Sequence, residues 1–245
     1  MPFQIGAKAD FRDLAYAVDA KCAASCAIHQ PTEPPPADVI TSLQSWVIGE
    51  SKESERICVL YGPGESCSAI ARLVEEQFRF ASRLGSSYCF RGFRQHETRN
   101  YTNLFSTIAL ELADRNAQFK ERLWKVVGGD TNLRKTRVVR TQFEEFILAP
   151  SRDVVWSGPL LVIIDGLELG ENEASRKDVL SVLADKGADL PRNLRFLITC
   201  GMEDDICKAF RGSPHILRRQ LAETSSPVMT NGEWSDIGAE DPASP

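Results

Sequence analysis

Three short stretches carry residue types suited to handling a phosphate chain. The first is Gly62-Pro63-Gly64 followed by Glu65-Ser66-Cys67-Ser68, where a turn runs into the start of a helix. Backbone N–H groups at such a junction point at an anion, and a hydroxyl in the helix's first turn can ligate Mg²⁺. The second is Leu160-Leu161-Val162-Ile163-Ile164-Asp165, an unbroken apolar run ending in an acid, with Glu168 three residues further on. An acid at that place holds Mg²⁺ directly or through water, and a second acid nearby can serve as a base. The third is Leu194-Arg195-Phe196-Leu197-Ile198-Thr199, mostly apolar and ending in a hydroxyl. The candidate residues are therefore Gly62, Gly64, Ser66, Cys67 and Ser68 on the phosphate side, Ser68 and Asp165 for the metal, and Asp165 and Glu168 for catalysis. Cys67 at a helix start is also a candidate thiolate, although no histidine or base lies near it in sequence.

Such residues are useful only if strands and helices deliver them to one place. Arg56–Tyr61, Ser86–Phe90, residues 158–166, Leu194–Thr199 and a last strand near His215–Leu217 read as strands. Helices are expected over 8–28 (Phe11, Leu14, Ala15 and Val18 at helical spacing), from Asp38 as its cap through Val47, over 66–83, 101–114, 117–127, 135–148 and 173–185, with a short one at 203–210. In the helix over 66–83 the apolar positions are Ile70, Leu73, Val74, Phe78 and Phe80. Trp46 and Trp124 are read as packing residues. Strands apolar throughout and alternating with helices imply a mostly parallel sheet covered on both faces, an α/β three-layer αβα sandwich. The prolines of 29–38 separate the first two helices. The organisation expected is a helical lead over 1–50, one α/β domain over 51–221, and a tail over 222–245 rich in Ser, Pro, Gly and acid that reads as disordered.

Composition narrows the function. The chain has 245 residues, 42% hydrophobic and 26% charged, with a formal net charge of -5. That balance disfavours a basic nucleic-acid binder. No apolar run approaches the roughly 20 residues of a membrane helix, and no signal peptide is visible at the N-terminus. The 7 cysteines, Cys22, Cys26, Cys58, Cys67, Cys89, Cys200 and Cys207, are odd in number and scattered. They suit a reducing, cytoplasmic setting rather than a disulfide framework. Cys22, Cys26 and His29 resemble metal spacing but lack a second half-site. Arg91, Arg94, His96 and Arg99 form a basic stretch, read as a solvated loop or an anion contact. Arg134, Lys135, Arg137 and Arg140 read as a solvated helix face.

The layout strand–turn–helix, then an apolar strand ending in Asp165, is that of a P-loop NTPase. The order of ADFRD, TSLQSWV, NLFSTIALELA, RTQFEEFILAP running into GPLLVIIDGLEL, and NLRFLITCGMEDDI resembles the NACHT-type signalling NTPases, in particular the nephrocystin-like domains abundant in fungal proteins. The resemblance runs from about Lys8 to Leu221. It implies a P-loop fold, ATP or GTP with Mg²⁺ as cofactor, and protein partners such as a full-length relative or a second copy. In that family nucleotide drives a conformational switch and oligomerisation, usually under a C-terminal repeat array. This chain ends soon after its last expected strand, so a full switch is not expected of it alone.

The departures from the family pattern are chemical. The phosphate loop needs G-x-x-x-x-G-K-[ST]. Ser68 stands at the hydroxyl position, Cys67 at the lysine and Ser66 at the second glycine, and Gly62 lies one residue too close. A neutral thiol cannot offset phosphate charge, and Glu65 would oppose it. Gly201 stands where the family's "TSRPE" carries its arginine. Asp165 and Glu168 survive on the metal side. The expected function is a degenerate, non-hydrolysing module that acts through protein contacts. The alternative is a working ATP- or GTP-binding NTPase with an atypical loop, and a third reading is a decaying gene copy.

Overall fold

The computed structural model describes residues 11–17, 20, 36–49, 55–90, 100–170 and 172–221. Apolar runs become the strands β1 (Ile57–Tyr61), β2 (Leu84–Cys89), β3 (Leu160–Asp165), β4 (Leu194–Cys200) and β5 (Ile216–Gln220). They pair in the order β2-β3-β4-β1-β5, and every pairing is parallel. Each parallel neighbour requires a crossover, and the intervening sequence supplies helices for it.

Helices α1 (Ala37–Ile48) and α2 (Gly64–Phe80) pack on one face of the sheet. There Leu43, Trp46 and Val47 meet Cys58, Leu60, Cys67, Ile70, Leu161, Ile163 and Leu197. The opposite face carries α3 (Leu104–Arg115), α4 (Ala117–Val127), α5 (Thr131–Arg134), α6 (Val139–Gln142), α7 (Ala149–Ser151), α8 (Glu173–Lys186) and α9 (Asp204–Ala209). Its core includes Val59, Tyr88, Phe105, Phe119, Phe143, Val162, Ile164, Phe196 and Ile198. Consecutive strand residues therefore serve opposite cores, as a period of two demands. The central strands β1, β3 and β4 are mostly apolar on both sides because both sides are buried, which confirms the three-layer αβα arrangement.

Several local expectations are corrected. Residues 12–17 of the first proposed helix are not helical. Leu14 and Ala17 are buried, the Ala17 amide donates to Thr107 Oγ1 at 3.0 Å, and Ala20 O accepts from the Cys89 amide at 2.6 Å. The segment satisfies an open-edge amide of β2, and those bonds outweigh helical spacing. Helix α1 starts after Pro36, with Asp38 inside its first turn rather than capping it. Helix α2 begins at Gly64, earlier than expected, and Leu73 and Phe80 point outward, Phe80 at 95% exposure. The helix expected over 135–148 is the short α6 followed by a π-helix, Phe143–Leu148. Gln142 at that junction is fully buried and donates to the Thr102 and Thr136 carbonyls at 2.7 and 2.9 Å. Arg134 and Arg140 sit on separate helices, and Arg140 pairs with Asp185 and Glu144. The last strand extends to Gln220. Trp46 is buried as expected, and Trp124 packs against the core edge-on to Phe11.

Candidate functional site at the carboxyl edge of the sheet

In a parallel sheet all carboxyl ends share one edge, and loops leaving it bring distant residues together. Here β1 leads into Gly62, β3 ends at Asp165, and β4 lies between them with Thr199 near its end. The left-handed turn at Gly166, φ 72°, requires the missing side chain and takes the chain sharply away from Asp165. Its amide donates to Thr199 O at 3.1 Å and to Thr199 Oγ1 at 3.2 Å, which fixes the end of β3 to β4.

Asp165 is the centre of a closed hydrogen-bond set. Ser68 Oγ donates to its Oδ1 at 2.8 Å, Thr199 Oγ1 donates to the same oxygen, and Cys89 Sγ donates to Oδ2 at 3.1 Å. The Asp165 side chain is fully buried and Ser68 nearly so. The structure thus brings together the two residues assigned to the metal side, 97 positions apart in sequence. It also adds Thr199 and Cys89 as partners of the carboxyl. Each of these donors comes from a different element, so the set ties α2, β2, β3 and β4 together.

The phosphate side is built differently from a phosphate loop. Helix α2 starts at Gly64, so only Gly62 and Pro63 separate it from β1. A turn of this length has no room to wrap a phosphate, and its carbonyl at Pro63 accepts from the Cys67 amide at 3.0 Å. Leu221 covers the turn. Its amide donates to Tyr61 O at 2.9 Å, and a Cβ placed on Gly62 would come within 3.0 Å of Leu221 Cβ and its carbonyl oxygen. Cys67 is 1% exposed and packs into the core between α1, α2 and the sheet. Its thiol is not presented to solvent as an accessible nucleophile would be. Glu65 is the exposed side chain of this stretch, and Ser66 is half-buried.

Glu168 lies in a 3-10 turn, Leu167–Leu169, two residues past the left-handed Gly166. Its carboxyl oxygen stands 3.7 Å from where a Cβ on Gly201 would be. Arg176 on α8 donates to the Glu168 carbonyl at 3.2 Å and is engaged by Asp205 at 2.9 Å. Tyr101 donates to the Leu167 carbonyl, and burial pushes its phenol up to about 12. Burial, and then Glu168 and Cys67, push the Cys200 thiol up. Cys58, Cys89 and Cys200 are all buried and none is in a disulfide.

A second buried acid was not foreseen. Glu75 on α2 is 1% exposed, pairs with Arg79, and accepts from Ser87 Oγ at 2.9 Å. Burial raises its carboxyl above the ordinary value, against the pull of Ser87 and Arg79. Polar residues inside otherwise apolar strands, Ser87 in β2 and Thr199 in β4, were the available signal: a buried hydroxyl needs a partner.

Set against Mg²⁺ and a triphosphate, Ser68 and Asp165 fit the metal side, while the short covered turn, the buried Cys67 and the exposed Glu65 do not fit the phosphates. Among the described residues no group of three or more His, Cys, Asp or Glu side chains could hold a metal ion by itself. None of their helices is long and apolar enough to cross a membrane. Cys22, Cys26, His29, Arg91, Arg94, His96, Arg99 and the tail over 222–245 lie outside the described residues.

A comparison with curated proteins returns no match. The family profile "Nephrocystin 3, N-terminal" matches residues 40–200, a span that holds β1, the Gly62-Pro63 turn, α2, Asp165 and all of β4. The matched span contains Gly62, Gly64, Ser66, Cys67, Ser68, Asp165 and Glu168, and the chain belongs to the nephrocystin 3 N-terminal family.

Proposed function

We propose that this domain is a nephrocystin-like module of the NACHT type whose nucleotide site is disabled, and that it acts through protein contacts without hydrolysing ATP or GTP. The carrying observation is the state of Asp165. Its carboxyl is buried and already satisfied by Ser68, Thr199 and Cys89, an arrangement suited to holding the sheet edge together. The phosphate side supports the same reading, because Cys67 offers a buried thiol in place of a cation and Gly62 lies beneath Leu221. Losing the lysine contact alone removes about 1.5–3 kcal/mol of phosphate binding. The partner classes that fit are a full-length relative of the family or a second copy of this chain, acting in the cytoplasm in signal transduction.

One observation favours a second reading, a working NTPase. Ser68 and Asp165 are adjacent at 2.8 Å, the pairing a shared Mg²⁺ would need. The two readings part on one measurement: thermal unfolding of the purified protein with millimolar MgATP or MgGTP. The proposal expects an unchanged midpoint. A rise of several degrees that disappears in Asp165→Asn would overturn it and support the second reading.

A further inference from the structure

The net charge of this chain is not spread over it. Of 29 Lys and Arg and 34 Asp and Glu, the segment over 222–245 holds no base and five acids, Glu223, Glu233, Asp236, Glu240 and Asp241. The remaining 221 residues are therefore neutral, with 29 of each sign. The segment also carries apolar side chains next to its acids, most compactly in Glu233-Trp234-Ser235-Asp236-Ile237.

The folded part holds a complementary surface where that segment begins. β5 is an edge strand, paired only with β1 among the described residues. Beside it a small cavity is lined by the buried Val59, Ile206 and Phe210 and by Arg211 and Arg218. Arg218 and Arg211 are exposed, and among the described residues neither is in an ion pair. Nearby, Lys208 pairs with Asp204 and Arg176 with Asp205. The strand's last bonded residue, Leu221, is held to Tyr61, which also lines the cavity. The acidic segment follows directly on Leu221 in sequence.

We propose that residues 222–245 lie over this cavity in the same molecule, with the carboxylates of Glu233 and Asp236 on Arg211 and Arg218. Tethering places the segment at an effective concentration of about millimolar, so weak contacts suffice to fill the site. Oppositely charged pairs at an apolar pocket are the pattern by which a segment in place excludes competing acidic partners. This inference is independent of whether nucleotide binds at the carboxyl edge of β1 and β3.

The test uses the full chain labelled with 5-fluorotryptophan, with the Trp234 resonance assigned through Trp234→Phe. The expected result is a Trp234 resonance displaced from that of a synthetic peptide of residues 222–245. Arg211→Glu with Arg218→Glu should cut the docking equilibrium constant about tenfold and move the resonance toward the peptide position, each exposed pair being worth a factor of roughly three. About 1 M NaCl, with a Debye length of about 3 Å, should act in the same direction. The resonances of the buried Trp46 and Trp156 should stay in place in every case, reporting an intact fold. A Trp234 resonance at the peptide position in the unaltered chain overturns the proposal, as does a displaced one that charge reversal leaves alone. Displacement lost on twentyfold dilution also overturns it, because the occupant is then the tail of a second copy.

Discussion

Removing the Asp165 carboxyl is the sharpest test of its role. In Asp165→Ala, Ser68 Oγ, Thr199 Oγ1 and Cys89 Sγ lose their shared acceptor inside the protein, where the carboxyl is fully buried. An orphaned buried hydroxyl costs about 1–3 kcal/mol, and the thiol, a weak donor, adds little. Thr199 and Ser68 can turn toward nearby carbonyls, so the two hydroxyl terms do not add in full, and a loss of about 3–4 kcal/mol is expected. For a domain of this size each kcal/mol moves the midpoint by about 2–4 °C, so the melting temperature should fall by about 6–16 °C. Asp165→Asn keeps an acceptor oxygen for Ser68 and Thr199 and should cost about half as much. The assay is urea unfolding followed by fluorescence, with the slope checked for constancy. An acid held only for Mg²⁺ behaves in the opposite way: its removal in the absence of metal leaves stability unchanged or raises it. A change below about 0.5 kcal/mol in Asp165→Ala would therefore refute the argument that the carboxyl holds four elements together.

Two further outcomes follow from the same region. Cys67→Lys, which restores the residue type of a phosphate loop, places an ammonium in the core around Leu60 and Ile70. It should destabilise the domain by about 2–4 kcal/mol and leave the nucleotide thermal shift at zero. A stable Lys variant that gains a MgATP shift would contradict the burial argument. Glu75 makes stability depend on pH. Its folded value lies above its ordinary 4.5 because of burial, so its contribution is complete below the unfolded value and is lost as pH rises through the folded one. Urea midpoints taken from about pH 4.5 upward should fall more steeply for the unaltered chain than for Glu75→Gln; parallel curves would count against the buried acid as the cause.

The legible part of the fold was its central frame. The runs of β1, β3 and β4 are apolar on consecutive residues, and only a strand buried on both faces uses such a run, so the parallel sheet and its two helical layers could be read from order alone. Asp165 and Ser68 were legible for a related reason: each ends or opens a strongly patterned element, so its place at the sheet edge follows from the element. The first segment differs from its helical expectation because Phe11, Leu14, Ala15 and Val18 have helical spacing, while the choice between helix and edge cover depends on Cys89 and Thr107, which the sequence places far away. Asp38 and the outward Phe80 were misjudged for the same reason, since capping and facing are decided by the chain around them.

The residue chemistry of the candidate site was determined by the sequence: no lysine at the turn after β1, a thiol in its place, glycine at 201, and acids at 165 and 168. Its state was decided only by the tertiary structure. Hydrogen bonds between α2, β2, β3 and β4 enclose Asp165, burial turns Cys67 into a core residue, and Leu221, 159 residues after Gly62, comes back to cover the turn. Residue identity fixes which bonds a group can make. Which of them it makes depends on what the fold brings within about 3 Å, because hydrogen bonds and close packing act only at contact.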